Sequence, residues 1–397
     1  MHRIVVALMS LIVATSCAVP PLASPANASP TPTVTPAAVA SPSPTAVAAG
    51  DRYGYVFTGG DGQDRIFVRR ERDFAIVFEL RGVAPAVSPD GKRLAYWRNA
   101  ANAGGIVSGT DLRVLDAADP ASDRSVFTPT ADTLGGAVVW SNDGQGLLVA
   151  TYSRETVSSP GPERGPLRYD LSMLDLASTP PATRAAGPQL SGGRVYLPVA
   201  WDRPGQIAAA IVTGPGGYAT EYATWNGNAA SPFARVDVPT ESGAARTSSL
   251  VLAFSVQASA DAKLVMALES SRNVLRVWPI LDIAKADQVR HPSIISSAVW
   301  RTGTGPTGPY EVVWAVGQKI DLFRYKTDSV TTLYTSAGNV GVAGVRPDGS
   351  AVLLAESPCC LPPPPTTRLF VIDVATRQVT EVGTQLGGSV GRGVLLR

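Results

Sequence analysis

The chain has 397 residues with 34 basic and 32 acidic side chains, so its formal net charge is only +2. That balance leaves no basic face of the size that nucleic acid requires, and an apolar content of 45% excludes disorder throughout. Charged residues, at 17%, fall below the usual quarter while Gly (38) and Pro (33) exceed average use, which fits a turn-rich β protein better than a helical one.

In chain order the first element is a short positive start, His2 and Arg3, followed by an apolar run from Ile4 to Leu8 and on to Val13. The run is too short to cross a bilayer as a helix, so residues 1–16 read as an export signal. Small residues, Ala14-Thr15-Ser16, then stand directly before Cys17. This arrangement resembles the lipobox of bacterial lipoproteins. The resemblance implies cleavage before Cys17, lipidation of its thiol and anchorage to the outer face of a bacterial membrane. Ala14 departs from the Leu usual in that family and leaves open a secretory signal cut at Ala26-Asn27-Ala28.

Residues 17–50 follow as a Pro/Ala/Ser/Thr-rich stretch, with eight prolines and no charged side chain between 18 and 50. Such a composition buries too little to offset the entropy of ordering, and Pro keeps it extended. The stretch reads as a tether that holds a folded domain off the membrane, or else as a plain disordered tail. Beyond Cys17 the only cysteines are Cys359 and Cys360, inside SPCCLPPPPTTR. Adjacent cysteines close a strained vicinal disulfide in an oxidising compartment or remain two free thiols. They do not make a zinc site, because no second Cys or His pair completes four ligands.

The remaining residues, 51–397, exceed the usual single-domain size, yet no linker-like stretch splits them. Internal repetition explains the length. VSPDGKRLAYW around Ser88-Pro89-Asp90-Gly91 recurs as WSNDGQGLLVATY around Asp143-Gly144 and as WDRPGQIAAAIV around Gly205. Weaker copies are ASADAKLVMALES (Ser259 to Glu269) and VRPDGSAVLLAES (Arg346 to Glu356). With Gly91, Gly144, Gly205, Ala262 and Gly349 as turn markers, the spacings are 53, 61, 57 and 87. The last is about two periods, so a degenerate copy is expected between, and Ala298 to Val316 fills it.

Each copy reads as an alternating strand, a tight turn and a continuously apolar second strand. A third strand follows, as in Asp111 to Ala117, Asp170 to Leu176, Val274 to Ile280, Lys319 to Tyr325 and Arg368 to Val374. A weaker, more polar fourth strand follows in SVFTPT, FARVDVP, VTTLYTS and QVTEVGT. Four antiparallel strands repeated at about 50 residues form the pattern of a propeller blade. The SPDG turn, the Val or Trp four residues before its Gly (Val87, Trp140, Trp201, Val345) and the Leu-Asp ending the third strand resemble TolB-type, WD-repeat-like β-propeller repeats of exported bacterial proteins. The resemblance spans 51–397 and speaks for fold rather than function, since such repeats serve binders and enzymes alike. Residues 51–82 offer three strands only, so the tail SVGRGVLLR is expected to supply the fourth and close a seven-bladed, all-β ring. Helix is expected to be scarce, with a turn at Leu281 to Val289.

Little recognisable chemistry remains. After removal of the signal only His291 is left among histidines, before Pro292, and it reads as a surface or capping residue. Gly387-Gly388-Ser389-Val390-Gly391 spells the nucleophile elbow without a following helix, Asp or His. Gly303 to Gly308 spells a dinucleotide fingerprint without strand-turn-helix context, and Pro306 removes an N–H. No metal site and no cofactor are expected. Seven residues after each turn marker stand Arg98, Thr151, Val212, Glu269 and Glu356, at the far ends of second strands. Glu269 and Glu356 are therefore equivalent positions in two blades. They read either as charged residues capping strands at water or as a pair of catalytic acids.

Connections between second and third strands share one face of a propeller, and they are long in blade 2 (Arg98 to Thr110), blade 3 (Ser153 to Leu167) and blade 7 (Glu356 to Thr367). Blades 7, 1, 2 and 3 are consecutive around a closed ring, so these loops should form a crescent, functional or disordered. The reading that follows is a monomeric, membrane-anchored, extracytoplasmic binding module for a protein or glycan of the cell envelope. Its expected binding residues are Arg98, Glu163, Arg164, Glu356, Cys359 and Cys360. The alternatives are a carbohydrate-active hydrolase or lyase using Glu269 and Glu356, and a purely structural envelope protein.

Overall fold

The computed structural model describes residues 53–58, 64–98, 101–103, 106–131, 133–154, 167–177, 182–186, 195–213, 218–226, 234–238, 250–301, 309–357, 366–386 and 390–396. Contacts divide the chain into Met1–Ala49 and Gly50–Arg397, and every element below belongs to the second unit. Seven four-stranded antiparallel sheets make up a seven-bladed β-propeller. Named from the inner strand outward, blade 2 is Val83–Val87, Arg93–Arg98, Asp111–Asp116 and Asp119–Phe127. Blade 3 is Thr133–Trp140, Gly146–Arg154, Leu167–Asp175 and Ala182–Ala186; blade 4 is Val195–Asp202, Ile207–Thr213, Ala219–Trp225 and Ala234–Asp237. Blade 5 is Gln257–Ala258, Leu264–Leu268, Val274–Pro279 and Asp287–Arg290; blade 6 is Ile295–Trp300, Glu311–Val316, Lys319–Arg324 and Ser329–Thr335. Blade 7 is Asn339–Val345, Ala351–Ser357, Thr366–Asp373 and Val379–Leu386.

Blade 1 takes Tyr53–Thr58, Arg65–Arg70 and Ile76–Arg81 from the start of the unit and its inner strand, Val390–Leu396, from the end. Tyr53 lies opposite Leu396 and Tyr55 opposite Val394, so the expected closure of the ring by the chain's two ends is observed. The degenerate copy expected over Ala298 to Val316 is blade 6. The third strand of blade 4, Ala219–Trp225, has too many small and polar residues to stand out in the sequence. The expected turn within Leu281 to Val289 is a single 3₁₀ turn, Ile283–Lys285, capped by the Asp282 carboxylate on the Ala284 N–H at 3.1 Å.

The second strands are unbroken apolar runs because both of their faces are covered. Leu94 to Trp97, Leu147 to Ala150, Ala208 to Val212 and Val312 to Ala315 are buried at every position, although successive side chains point to opposite faces of the sheet. Among the described residues the core comprises seven clusters, one at each blade junction. Tryptophans stitch some of these junctions. Trp140 donates its indole N–H to the Ala86 carbonyl of blade 2 at 2.8 Å, and Trp97 donates to Gly136 of blade 3 at 2.7 Å.

The Ser-x-Asp-Gly signature also has a physical origin. In blades 2, 3 and 5 the serine hydroxyl (Ser88, Ser141, Ser259) donates to the turn aspartate (Asp90, Asp143, Asp261) at 2.6 Å. The same hydroxyl accepts the N–H five residues on, from Arg93, Gly146 or Leu264. Gly91, Gly144 and Gly349 take the left-handed conformation that the turn requires. In blade 4 that role passes from the expected Gly205 to Gln206, with φ +55. Gly205 is instead fixed by space, since a Cβ there would stand 2.5 Å from an Asp202 oxygen.

These turns lie at one end of the ring, the turn face. The connections from second to third strands, and from each outer strand to the next blade, lie at the other end, the loop face. A belt of polar clasps crosses the junctions on the turn face. Arg203 reaches Asp143 and Asp175, Lys263 reaches Asp202 at 2.5 Å, Tyr310 reaches Asp261 at 2.9 Å and Arg301 reaches the Gly349 carbonyl at 2.8 Å. At the closing junction Arg346 of blade 7 grips Glu71 of blade 1.

Candidate functional site

Second and third strands are joined in blades 5 and 6 by 269–273 and 317–318 only, and in blades 2, 3 and 7 they are separated in the sequence by 99–110, 155–166 and 358–365, of which 155–166 and 358–365, and with them the expected crescent, lie outside the described residues. The long blade 2 connection carries a hairpin of its own, Ala101–Ala103 with Ile106–Ser108. Its stem is tied to blade 3 where the Gly135 N–H donates to the Gly109 carbonyl at 2.8 Å. Gly135 is required there. A Cβ would enter the Trp97 ring at 2.1–2.3 Å.

The candidate acids occupy equivalent places, and each is held by its own surroundings. Glu356 lies opposite Arg368 in the sheet register. It accepts the Ser336 hydroxyl at 2.6 Å and the Gly338 N–H at 3.1 Å, so it anchors the connection from blade 6 to blade 7. Arg368 stands 3.8 Å from Glu356 and pairs more closely with Glu381. Glu269, 1% exposed, accepts from Arg276 Nε at 2.5 Å, and its Oε2 has no hydrogen-bond partner among the described residues. Two further buried acids, absent from the sequence reading, do similar work on the turn face. Glu71 binds Arg346 and the Tyr55 hydroxyl, and Glu311 binds Arg301 and Arg324. A buried glutamate clamped by arginine is thus a recurring structural device of this ring, and Glu269 belongs to that set.

Arg98 ends the second strand of blade 2, is exposed and lies opposite Asp111 in the register. Beside it opens a groove of about 450 Å³, lined by Thr110, Asp111, Ser125, Thr128, Thr130 and Thr133 with Pro129 and Ala131. Two of its lining residues, Asp111 and Ser125, belong to a polar network. Arg113 donates to both Asp123 oxygens at 2.9 and 3.0 Å and to Asp111 Oδ2 at 3.0 Å, while Ser125 donates to Asp111 Oδ1 at 2.6 Å. Burial draws the Arg113 pKa down, but the bonds to Asp123 and Asp111 outweigh it and hold it above the ordinary arginine value. Tyr96 donates to Asp123 at 2.9 Å, and burial together with that bond pushes its phenol up to about 12. Thr130 and Thr133 bond to each other at 3.1 Å. The hydroxyls of Thr110 and Thr128 have no partner among the described residues, and neither has the Arg98 guanidinium.

Of the expected binding residues, the structure therefore sets Arg98 beside a groove and Glu356 in a buried anchor on a different blade. Glu163, Arg164, Cys359, Cys360 and Cys17 lie outside the described residues. Of the groove residues, Ser125 to Thr130 (SVFTPT) were read in the sequence as an outer strand, which in the structure is Asp119–Phe127, and Thr110, Asp111 and Thr133 were not singled out for a site. Among the described residues no group of three or more His, Cys, Asp or Glu side chains is placed to hold a metal ion, and no helix is long and apolar enough to cross a membrane.

No family model matches the sequence, and no curated protein matches it. Solved propellers do match the fold. An oligogalacturonate lyase in complex with manganese aligns with a TM-score of 0.51 at 12% identity, covering 79% of this chain and 84% of that one. The periplasmic gluconolactonase PpgL of Pseudomonas aeruginosa aligns with a TM-score of 0.51 at 14% identity, covering 86% and 98%. TolB from Acinetobacter baumannii aligns with a TM-score of 0.38 at 15% identity, covering 87% and 67%. At these identities the likeness is one of fold: the chain is a β-propeller, and enzymes are among the solved structures that share the fold.

Proposed function

We propose that the chain is a lipid-anchored, extracytoplasmic propeller that binds a component of the cell envelope on its loop face without transforming it. The observation that carries this reading is the groove on blade 2. It combines open hydroxyl valences with a carboxylate, Asp111, already engaged by Arg113 and Ser125. Such a wall holds a ligand by hydrogen bonds and, among the described residues, offers no unengaged acid or base for proton transfer. The export signal, Cys17 and the tether of 17–50 support the location. The test is retention beside turnover: envelope fractions are passed over the full chain and over a Glu269→Gln/Glu356→Gln variant, with products followed by mass spectrometry. Retention by both proteins without shortened or rearranged products is expected. Metabolic palmitate labelling, lost in Cys17→Ser, tests the anchor.

One observation favours a second reading, a carbohydrate-active hydrolase or lyase. Glu269 keeps one buried carboxylate oxygen without a hydrogen-bond partner among the described residues, as an acid awaiting substrate would. Product formation that falls at least about a hundredfold in the Gln variant would establish that reading and remove the first.

A further inference from the structure

Each blade ends in an outer strand that has a strand on one side only, so the N–H and C=O groups along its far side meet no described strand. Such an edge accepts a further strand unless charge, proline or shortness blunts it. Six of the seven outer strands are blunted in this way. Blade 1 carries Glu79, blade 2 carries Pro120 and Asp123, blade 3 carries Arg184 and blade 7 carries Glu381. The outer strands of blades 4 and 5 have only 4 residues each, ARVD and DQVR, half of them charged. Blade 6 breaks the pattern. Its outer strand, Ser329–Thr335, reads SVTTLYT, with no charged residue, no proline and no glycine. Ser329, Val330, Thr331 and Thr332 are exposed in succession and pair in unbroken register with Arg324, Phe323, Leu322 and Asp321. Leu333 is the extra residue of a bulge and is buried, so the flat part of the edge is 329–332. Val330 is 51% exposed there without a charged neighbour, whereas Val236 of blade 4, 50% exposed, stands between Arg235 and Asp237.

We propose that this edge is a self-association surface, on which the outer strand of blade 6 pairs antiparallel with the same strand of a second copy about a two-fold axis. The charge pattern selects that occupant. Pairing with the edge of any other blade sets an Arg, Asp or Glu against the uncharged run 329–332, so blade 6 is matched by blade 6 alone among the chain's own edges. A two-fold arrangement lays 329–332 against itself, and Thr–Thr and Thr–Ser pairs are favourable cross-strand neighbours. It covers both open edges at once, so assembly stops at two chains. Pairing of so short a strand buries less than the roughly 1,200 Å² of a stable interface, and a weak, concentration-dependent dimer is expected. This departs from the monomer expected above and is independent of what the blade 2 groove binds.

The test is sedimentation velocity on the full chain at low salt, from about 5 to 500 μM, beside Thr331→Lys and Thr331→Glu. The parent is expected to move from one chain toward two across that range. Either variant alone sets like charges against each other across the axis and should associate at least about tenfold more weakly. An equal mixture of the two should recover association, as expected of a strand that faces itself. Residue 331 is exposed, so melting temperatures should match the parent, and the Val330→Lys and Val330→Glu pair repeats the exchange at a second position. A parent that stays one chain at about 500 μM would overturn the proposal. Association unchanged in both single variants would overturn its placement on this edge. If the parent stays monomeric but binds a synthetic Thr-Val-Thr-Val-Thr-Val peptide, and Thr331→Lys does not, the edge takes a foreign strand and the second-copy assignment fails.

Discussion

Glycine at a blade junction shows how a single residue sets the geometry of this ring. Trp97 is fully buried and lies across Gly135, with its indole N–H on the neighbouring Gly136 carbonyl. A methyl group at 135 has nowhere to go but into the indole. Gly135→Ala should cost about 1–3 kcal/mol in urea unfolding by overpacking and should separate the blade 2 hairpin stem from blade 3. Gly341, in the inner strand of blade 7, is the contrast, because a Cβ there meets only the Ser297 Oγ at 3.7 Å. Gly341→Ala is expected to leave stability unchanged or to raise it by up to about 1 kcal/mol, since alanine loses less backbone freedom on folding. The two glycines look alike in the sequence. Only the tryptophan from another strand separates them, and sequence spacing does not show which residue will face which.

At the scale of elements, the turns are the legible part. Ser88, Ser141 and Ser259 repeat because one hydroxyl closes the turn twice, so the motif survives where the strands around it diverge. Second strands are legible because burial on both faces forces an unbroken apolar run. The third strand of blade 4 escapes because Ala219, Thr220, Ala223 and Thr224 leave it neither apolar nor clearly alternating. The candidate site escapes for a related reason: hydroxyls converging from Thr110, Ser125 and the 128–133 connection obey no fixed spacing. Polar partners at the turns also set the pH range. In Asp143 burial raises the pKa, but bonds from Ser141, the Gln145 N–H and Arg203 outweigh it and hold it below 3.8. Asp348 is lowered in the same way by Tyr53 and Ser350 against burial, and Asp373 by the Thr376 N–H. A folded value below the unfolded one gives stability that is present above about pH 4 and is lost as pH falls through the folded values. At the other end burial pushes Tyr96 and Tyr310 up to about 12, with help from Asp123 and Asp261. Their contribution is present below about pH 10 and is lost as pH climbs toward 12. Thermal melting across pH should therefore show a plateau with both flanks falling. A melting temperature that stays level from about pH 5 down to pH 2 would contradict the acid half.

For the whole ring the critical point is the junction where its first and last strands meet. Backbone pairing of Tyr53–Thr58 with Val390–Leu396 closes the ring, and side chains from blades 1 and 7 reinforce it. Phe74, in the left-handed conformation, packs edge-on against Phe57 at 5.1 Å and lies over Gly383. Glu71, buried beneath, is neutralised by Arg346 and bonded to Tyr55. These partners are 275 residues apart in sequence, which is why the closing strand was legible but the ion pair beneath it was not. Arg346→Met strands a buried carboxylate and should cost about 3–5 kcal/mol, with much of the loss recovered in Glu71→Gln/Arg346→Met. For the proposed binding role, a closed ring holds the blade 2 groove between fixed strands, as a preformed site requires.

The most direct test of that account is hydrogen exchange on the full chain, with and without the envelope component that it retains, while that component is checked for cleavage. Binding on the loop face without turnover predicts slowed exchange confined to residues 98–133 and an intact ligand. Slowing instead at the turns 88–93, 141–146 and 259–264, or the appearance of a shortened ligand, would contradict it.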